Sequence, residues 1–368
     1  MTHSLLNRYL LPFLIFVCVL APARGDGGND GSLSERDDVR AFIEQMVERH
    51  GFERTWLQDL FGAVQIKPSI IAALDKPATS RPWYQFQGNF LNEHKTREGI
   101  AFWRQHKAWL DKARAEYGVA PEYVVAILGV ETGYGRNAGG FRAIDALSTI
   151  AFDYPRRADY FKEQLENFLL LAREENRDPL DFKSSYAGAL GMPQFMPASF
   201  REFAVDFDAD GQRDIWRNPA DAIGSVAYYF KKYGWQADAP VAVRAEAEGD
   251  QVAALLADKF NLHYSVAELA ERGVKPVEAL PMGDKAVLFM LETEPGVNEY
   301  WLGLGNFYAI TRYNRSVNYA MAVNLLAHRL REAYEHPETL APEPARSTVV
   351  GKRHAQSQAR HKPAKRGR

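Results

Sequence analysis

Apolar residues return at helical spacing through most of the first two thirds of the chain. Val39, Phe42, Ile43, Met46 and Val47 line one face before His50-Gly51 closes the segment, and Ser34 to Asp37 reads as a capping-box start for it. Ile70 to Leu74, Glu98 to Tyr117, Pro121 to Glu131, Asp159 to Asn176 and Pro219 to Tyr233 continue the pattern. Pro121 and Pro219 stand at first-turn positions, where a helix has no use for an N–H. After Trp235 the period changes. "PVAVRAEA" alternates, "KAVLFML" is a short β-rich run, and "EYWLGLGNFYAITRY" is dense in aromatic and β-branched residues. Ala237 to Gly305 therefore reads as a small α+β insert, with helical spacing restored from Ser316 to Tyr334. No internal repeat is visible.

The two ends carry different signals. Arg8, the apolar run Leu10 to Leu20 and Ala21-Pro22-Ala23 have the order of a cleaved secretory signal over 1–23, followed by a Gly/Asp-rich linker to about residue 33. The only cysteine, Cys18, lies inside that segment, preceded by Phe16 and Val17 rather than by the small residue a lipid-attachment site requires. The expectation is an exported, periplasmic protein without lipid anchor or disulfide. From Arg346 to Arg368 there are eight Lys/Arg and no Asp or Glu, so a net charge of −2 for the chain leaves −10 for the remainder. Residues 337–368 read as a disordered basic tail, either solubilising or able to touch anionic envelope polymers. With 46% hydrophobic and 25% charged residues, the rest is ordinary globular protein. No phosphate loop, nucleophile elbow, zinc motif or dinucleotide fingerprint occurs, and an acidic body argues against nucleic acid.

Four stretches can carry chemistry. In "AILGVETGYGR", Glu131 ends an apolar helix and is followed by Gly133 and Gly135. Burial and the negative end of a helix both raise a carboxyl pKa, which suits a general acid; the alternative is a surface carboxylate facing water or pairing with Arg136. In "DFKSSYAGALGMPQFMPASF", small residues around Ser185 precede a Pro-bounded turn carrying Gln194 and Phe195, fit for sugar hydroxyls or merely for tight packing. "DFDADGQRD" places carboxylates at positions 1, 3, 5 and 9 with Gly211 at 6, as in the first part of an EF-hand loop. Position 12 is Arg217, so Asp221 on the next helix is the natural last ligand; hard oxygen donors favour calcium in a structural role. "FYAITRYNRSVNYA" mixes flat rings with polar tips, a surface for sugars or an aromatic core, to which Tyr229 could add.

In this order, "GVETGYGR", "YPRRADYF", "SSYAGALGMPQFMPASF", "VDFDADGQRDIW", "DAIGSVAYYF" and "TRYNRSVNYAMAV" resemble the membrane-bound lytic transglycosylase B family, which cleaves peptidoglycan. The resemblance runs from Asp37 to Tyr334. It implies a mainly α, α+β fold with a lysozyme-like core: a catalytic domain over 34–336, made of a helical subdomain (34–118), the core (119–236), the small insert (237–305) and a return to the core (306–336). It implies Glu131 as the only acid/base. Ser185, Gln194, Phe195, Tyr229, Tyr313, Asn314 and Tyr319 would line the glycan cleft, with Arg156 and Arg157 contacting the stem peptides or supporting the site. Asp206, Asp208, Asp210 and Asp221 would bind calcium with the main-chain oxygen of Gln212, and no organic cofactor is implied. The loop departs from the family by one extra residue before Pro219. Peptidoglycan strands are the expected partner of a monomer. Most glycosidases need two carboxyl groups, and no motif fixes a second one near Glu131. A single glutamate suffices if the substrate's own acetamido oxygen and C6 hydroxyl do the rest, closing a 1,6-anhydro ring. A hydrolytic muramidase and a non-catalytic glycan-binding protein are the rival readings.

Overall fold

The computed structural model describes residues 32–75 and 81–340. The signal segment, nearly all of the linker, and the basic tail from residue 341 lie outside the described residues. The first elements are α1 (Asp37–His50), α2 (Arg54–Gly62), α3 (Pro68–Leu74) and α4 (Trp83–Phe86). The capping box expected at Ser34 is absent: a short 3-10 turn occupies Leu33–Glu35, and Arg36 caps α1 without a side-chain bond. Asp38 instead accepts from Val39 N at 3.0 Å and pairs with Arg36 at 2.8 Å, so the first-turn carboxylate is already engaged.

The helix expected over Glu98–Tyr117 is two helices, α5 (Glu93–Gln105) and α6 (Lys107–Tyr117). His106 breaks them at φ −112, ψ 22, closing α5 by donating to Phe102 O and opening α6 by accepting from Leu110 N. The bend lets Ile100 and Trp103 on one helix and Leu110 and Ala113 on the next all reach the core.

The helix that follows, α7 (Pro121–Thr132), organises the molecule. Every residue from Pro121 to Val130 is buried, and a helix apolar all round must be enclosed all round. It packs against α5 and α6, against α11 (Pro219–Lys232), and against α15 (Val317–Glu335). Each fully buried Val, Ile or Leu contributes roughly 1.5–3 kcal/mol. Polar ties fix the axial position: Tyr123 Oη donates to Asn324 Oδ1 at 3.0 Å, and Arg331 pairs with Glu122 at 2.5 Å. Between α7 and α11 lie α8 (Ala143–Asp153), α9 (Ala158–Glu174) and α10 (Pro197–Phe203), with a two-stranded ribbon of β1 (Phe141–Arg142) and β2 (Lys183–Ser184).

The insert is an antiparallel sheet in the order β4-β6-β7-β3-β5, built from β3 (Ala242–Ala247), β4 (Tyr264–Ser265), β5 (Val274–Pro276), β6 (Lys285–Glu294) and β7 (Val297–Gly303). Two short helices, α12 (Val252–Ala257) and α13 (Val266–Glu271), cover it, and α13 opens on a capping box of Ser265 and Glu268. The continuous apolar run of β6 has a simple cause. Ala286 and Leu288 enter the insert's own small core, while Val287, Phe289 and Leu291 enter the main one. "EYWLGLGNFYAITRY" is not strand throughout: β7 stops at Gly303 and the chain turns into α14 (Gly305–Tyr313). Phe307 stacks on Phe289 at 4.6 Å, which ties this helix to the sheet.

Candidate active site

Glu131 is the penultimate residue of α7, at the end of its apolar barrel. The chain leaves the helix through two successive left-handed residues, Gly133 (φ 58) and Tyr134 (φ 63), whose N–H groups bond back to Gly129 O and Leu128 O. Gly129 is needed for the return: a Cβ there would sit 2.7 Å from the Tyr134 ring. Thr132 Oγ1 donates to Met192 O at 2.9 Å and accepts from Gly135 N at 3.0 Å, fastening the Leu190–Phe195 turn to the helix end.

The Glu131 side chain keeps partial access to solvent while its carboxyl is enclosed by protein, and burial raises its pKa to about 7. One group opposes this. Tyr319 Oη donates to Glu131 Oε1 at 2.6 Å, which favours the carboxylate. The Arg136 pairing left open by the sequence does not occur, because Arg136 is bound to Glu98. Burial thus moves Glu131 toward neutral pH, where a group can act first as acid and then as base.

The aromatic residues singled out in the sequence converge beside it. Tyr319 is fully buried and stacks on Tyr313 at 6.4 Å and 13°. Tyr313 in turn touches Tyr229 at 4.8 Å and Phe195 at 5.8 Å, and its hydroxyl donates to Pro193 O. Gln194 holds a left-handed φ of 53, with its amide donating to Gly191 O at 2.9 Å and Ala138 O at 3.3 Å. Gly191 cannot be replaced by a larger residue, since a Cβ would lie 2.6 Å from Ile215 O. Ser185 Oγ accepts from Ala189 N at 3.1 Å, so the serine shapes its own turn. Asn314 is 2% exposed, and neither its amide nitrogen nor its oxygen has a hydrogen-bond partner among the described residues. A cavity of about 330 Å³ shares the wall made by Gln194, Phe195, Tyr229 and Tyr313. Arg156 and Arg157 lie at the start of α9: the first pairs with Asp75, and the second lies 5.1 Å from the ring of Tyr160, which lines that same cavity.

In the acidic loop, carboxylate oxygens of Asp206, Asp208 and Asp210 lie within 4.8 Å of one another. Asp208 Oδ2 accepts from the Asn218 amide, while its Oδ1 is buried without a partner. An orphaned carboxylate oxygen among two other carboxylates fits a hard cation. Asp221, expected as the last ligand, is not among these three: its two oxygens accept from Phe207 N and Asp214 N, bracing the loop against α11. Gln212 N donates to Asp210 Oδ1. Around Glu131, Thr132, Lys95 (whose Nζ donates to Gly129 O at 2.7 Å) and Tyr134 also build the site. None of the three had a legible signal, because each acts through main-chain groups distant in sequence.

Residues 34–328 match the transglycosylase SLT domain family. The chain is 43% identical over 303 residues to the membrane-bound lytic murein transglycosylase B of Escherichia coli K12, covering 80% of this chain and 82% of that one. The solved structure of the E. coli lytic transglycosylase Slt35 in complex with calcium is similar at a TM-score of 0.75 and 42% identity, over 83% of this chain and 96% of that one. SltB3 of Pseudomonas aeruginosa in complex with NAG-anhNAM-pentapeptide is similar at a TM-score of 0.70 and 31% identity, over 83% and 80%. Buried acid, aromatic wall and a likeness over 80% of the chain agree: this chain belongs to the SLT-domain lytic murein transglycosylases, which cleave peptidoglycan as non-hydrolytic lyases.

Proposed function

We propose that Glu131 alone serves as acid and base in cleaving the β-1,4 bond between N-acetylmuramic acid and N-acetylglucosamine. The observation that carries this reading is a carboxyl enclosed at the end of an apolar helix and bonded by Tyr319 Oη at 2.6 Å, with burial raising its pKa to about 7. Protonated Glu131 gives its proton to the leaving glycosidic oxygen as the C1–O bond breaks. The acetamido oxygen of the same muramic acid bonds to C1 and holds it as an oxazolinium. Glu131, now a carboxylate accepting from Tyr319, takes the proton of the C6 hydroxyl. O6 then bonds to C1, the acetamido oxygen leaves, and a 1,6-anhydro sugar results with Glu131 reprotonated. No water enters the balance. The P. aeruginosa relative crystallised with an anhydro-muramyl glycopeptide supports this product.

In this reading Tyr313, Tyr229, Phe195 and Gln194 form the wall of the glycan cleft, and unpartnered Asn314 takes a hydroxyl or acetamido group of the sugar. Ser185 holds the turn that presents them, and Arg156 and Arg157 receive the peptide side of the strand. Asp206, Asp208 and Asp210 would hold a structural calcium with the Gln212 carbonyl, and Asp221 would fix the loop around it. The calcium complex of the E. coli relative supports that assignment. A periplasmic site of action follows from the substrate; among the described residues no helix is long and apolar enough to cross a membrane. Glu131→Gln tests the role of the glutamate on purified sacculi. Loss of turnover by at least about a hundredfold with retained sacculus binding is expected for a lost general acid, and undiminished turnover would refute it.

A further inference from the structure

Two cations stand at the end of α7 that carries Glu131, and neither meets it. Lys95 of α5 donates from Nζ to Gly129 O at 2.7 Å, spending its charge on the main chain of the helix. Arg136 follows Glu131 by five residues, and among the described residues its ion pair is with Glu98 of α5. Arg136 nevertheless lies against the turn that Glu131 leads into. Its Nη2 is 3.3 Å and its Nε 3.8 Å from the point where Gly133 would carry a Cβ, and glycine puts no side chain in the way. The charge of Arg136 also reaches this helix end: burial and, after it, the guanidinium lower the Lys95 pKa to about 8.

An arginine is the natural partner of an enclosed carboxylate, and here it would be the wrong one. A general acid must meet its substrate with the proton on, and a cation within about 4–6 Å lowers a carboxyl pKa by about 1–3 units. Glu98 takes that cation. Its side chain is 19% exposed against 50% for Arg136, so the carboxylate is the anchored member of the pair. Glu98 Oε1 also lies 3.0 Å from Nε2 of His94, one turn earlier on α5 and open to solvent. The remaining titratable groups around this helix end are three hydroxyls. Tyr134 Oη donates to Lys95 O at 2.8 Å, Tyr319 Oη donates to Glu131, and Tyr313 stacks on Tyr319. Burial raises the pKa of all three, so they are neutral when Glu131 titrates.

We propose that Glu98 is a positioning residue for the reaction: it holds the Arg136 guanidinium off Glu131 and so leaves the acid without a cationic partner. The inference rests on the reading of Glu131 as acid and base. It gives an ion pair on the flank of α5 a task at the reacting carboxyl, which it serves by keeping a neighbour occupied.

The test follows the Glu131 carboxyl directly, by carbon-13 NMR titration of the full chain, with the pH profile of kcat/KM on purified sacculi beside it. The spectrum of Glu131→Gln identifies the resonance. In Glu98→Met the guanidinium is released, and the Glu131 titration should fall by about one unit, the low end of the range because Arg136 is half exposed. The alkaline limb of kcat/KM should move down with it, lowering turnover on that limb about tenfold. Arg136→Met alone, and Glu98→Met combined with Arg136→Met, should both titrate as wild type. A merely structural role for Glu98 would not be undone by removing the arginine. An unmoved titration in Glu98→Met, or a shift that the double variant does not reverse, overturns the proposal. Should Glu98→Met not fold, Glu98→Gln removes the charge at the same side-chain length and is read by the same two outcomes. A carboxyl that moves and reverts while the limb of kcat/KM stays in place upholds the role of Glu98 and refutes Glu131 as the acid.

Discussion

Glu131→Gln should make the protein more stable, by an amount that depends on pH in a defined way. In the unfolded chain the carboxyl titrates near 4.5, and in the folded protein burial moves it to about 7. Between those values the native state holds a proton that the unfolded state has released. Wild-type stability therefore falls as pH rises through this window, because an enclosed carboxyl must either keep its proton or ionise without water. At about 1.4 kcal/mol for each pH unit, the cost saturates near 3 kcal/mol above pH 7. The glutamine side chain of the variant has nothing to ionise and avoids that cost, while its carbonyl can still accept from Tyr319. The assay is urea denaturation of both proteins from about pH 4 to 8.5 with calcium held constant, so that the acidic loop titrates identically in each and cancels. The stability difference should be flat below pH 4.5, climb through about pH 5–7 in favour of the variant, and level off about 3 kcal/mol higher. A difference that stays level across the range, or that falls with pH, would refute the claim that the acid is held in an enclosed site.

Removing the opposing hydrogen bond should move the same group further. Tyr319→Phe deletes a charge-assisted bond of about 1.5–3 kcal/mol, so the basic limb of the kcat/KM profile should shift up by roughly 1–2 pH units. A limb that stays put or moves down would mean that Tyr319 does not stabilise the carboxylate. For the acidic loop, calcium at about a hundred times its dissociation constant adds about 2.7 kcal/mol, so chelation should lower Tm by several degrees and added calcium should restore it. Asp208→Asn should erase most of that calcium-dependent increment; identical melts with and without chelator would dismiss the site.

How far the sequence revealed this site depended on the physical scale of each signal. The burial of α7 was legible because an all-apolar helix has only one environment open to it, and its Pro121 start and Gly133 stop are local chemistry. The small insert was legible from its change of period, but the end of β7 was not. Gly303-Leu304-Gly305 sits inside an unbroken aromatic stretch, and contacts distant in sequence, Phe307 on Phe289 and the Asn306 amide on the main chain of Gln236 and Ala239, fix the helix that begins there. The break at His106 was hidden for the same reason, since both flanking helices keep their apolar faces in phase. At the site, Glu131 could be located but its partner could not. Whether Arg136 or Tyr319 meets the carboxylate depends on a contact across 188 positions, and Glu98 captures the arginine.

The central claim is that one glutamate closes an anhydro ring without consuming water. Digestion of purified sacculi in heavy-oxygen water, followed by mass spectrometry of the released muropeptides, tests it most directly. The predicted products are 1,6-anhydro-muramyl ends free of the label. Reducing muramyl ends carrying one labelled oxygen would contradict the claim and identify water as the acceptor.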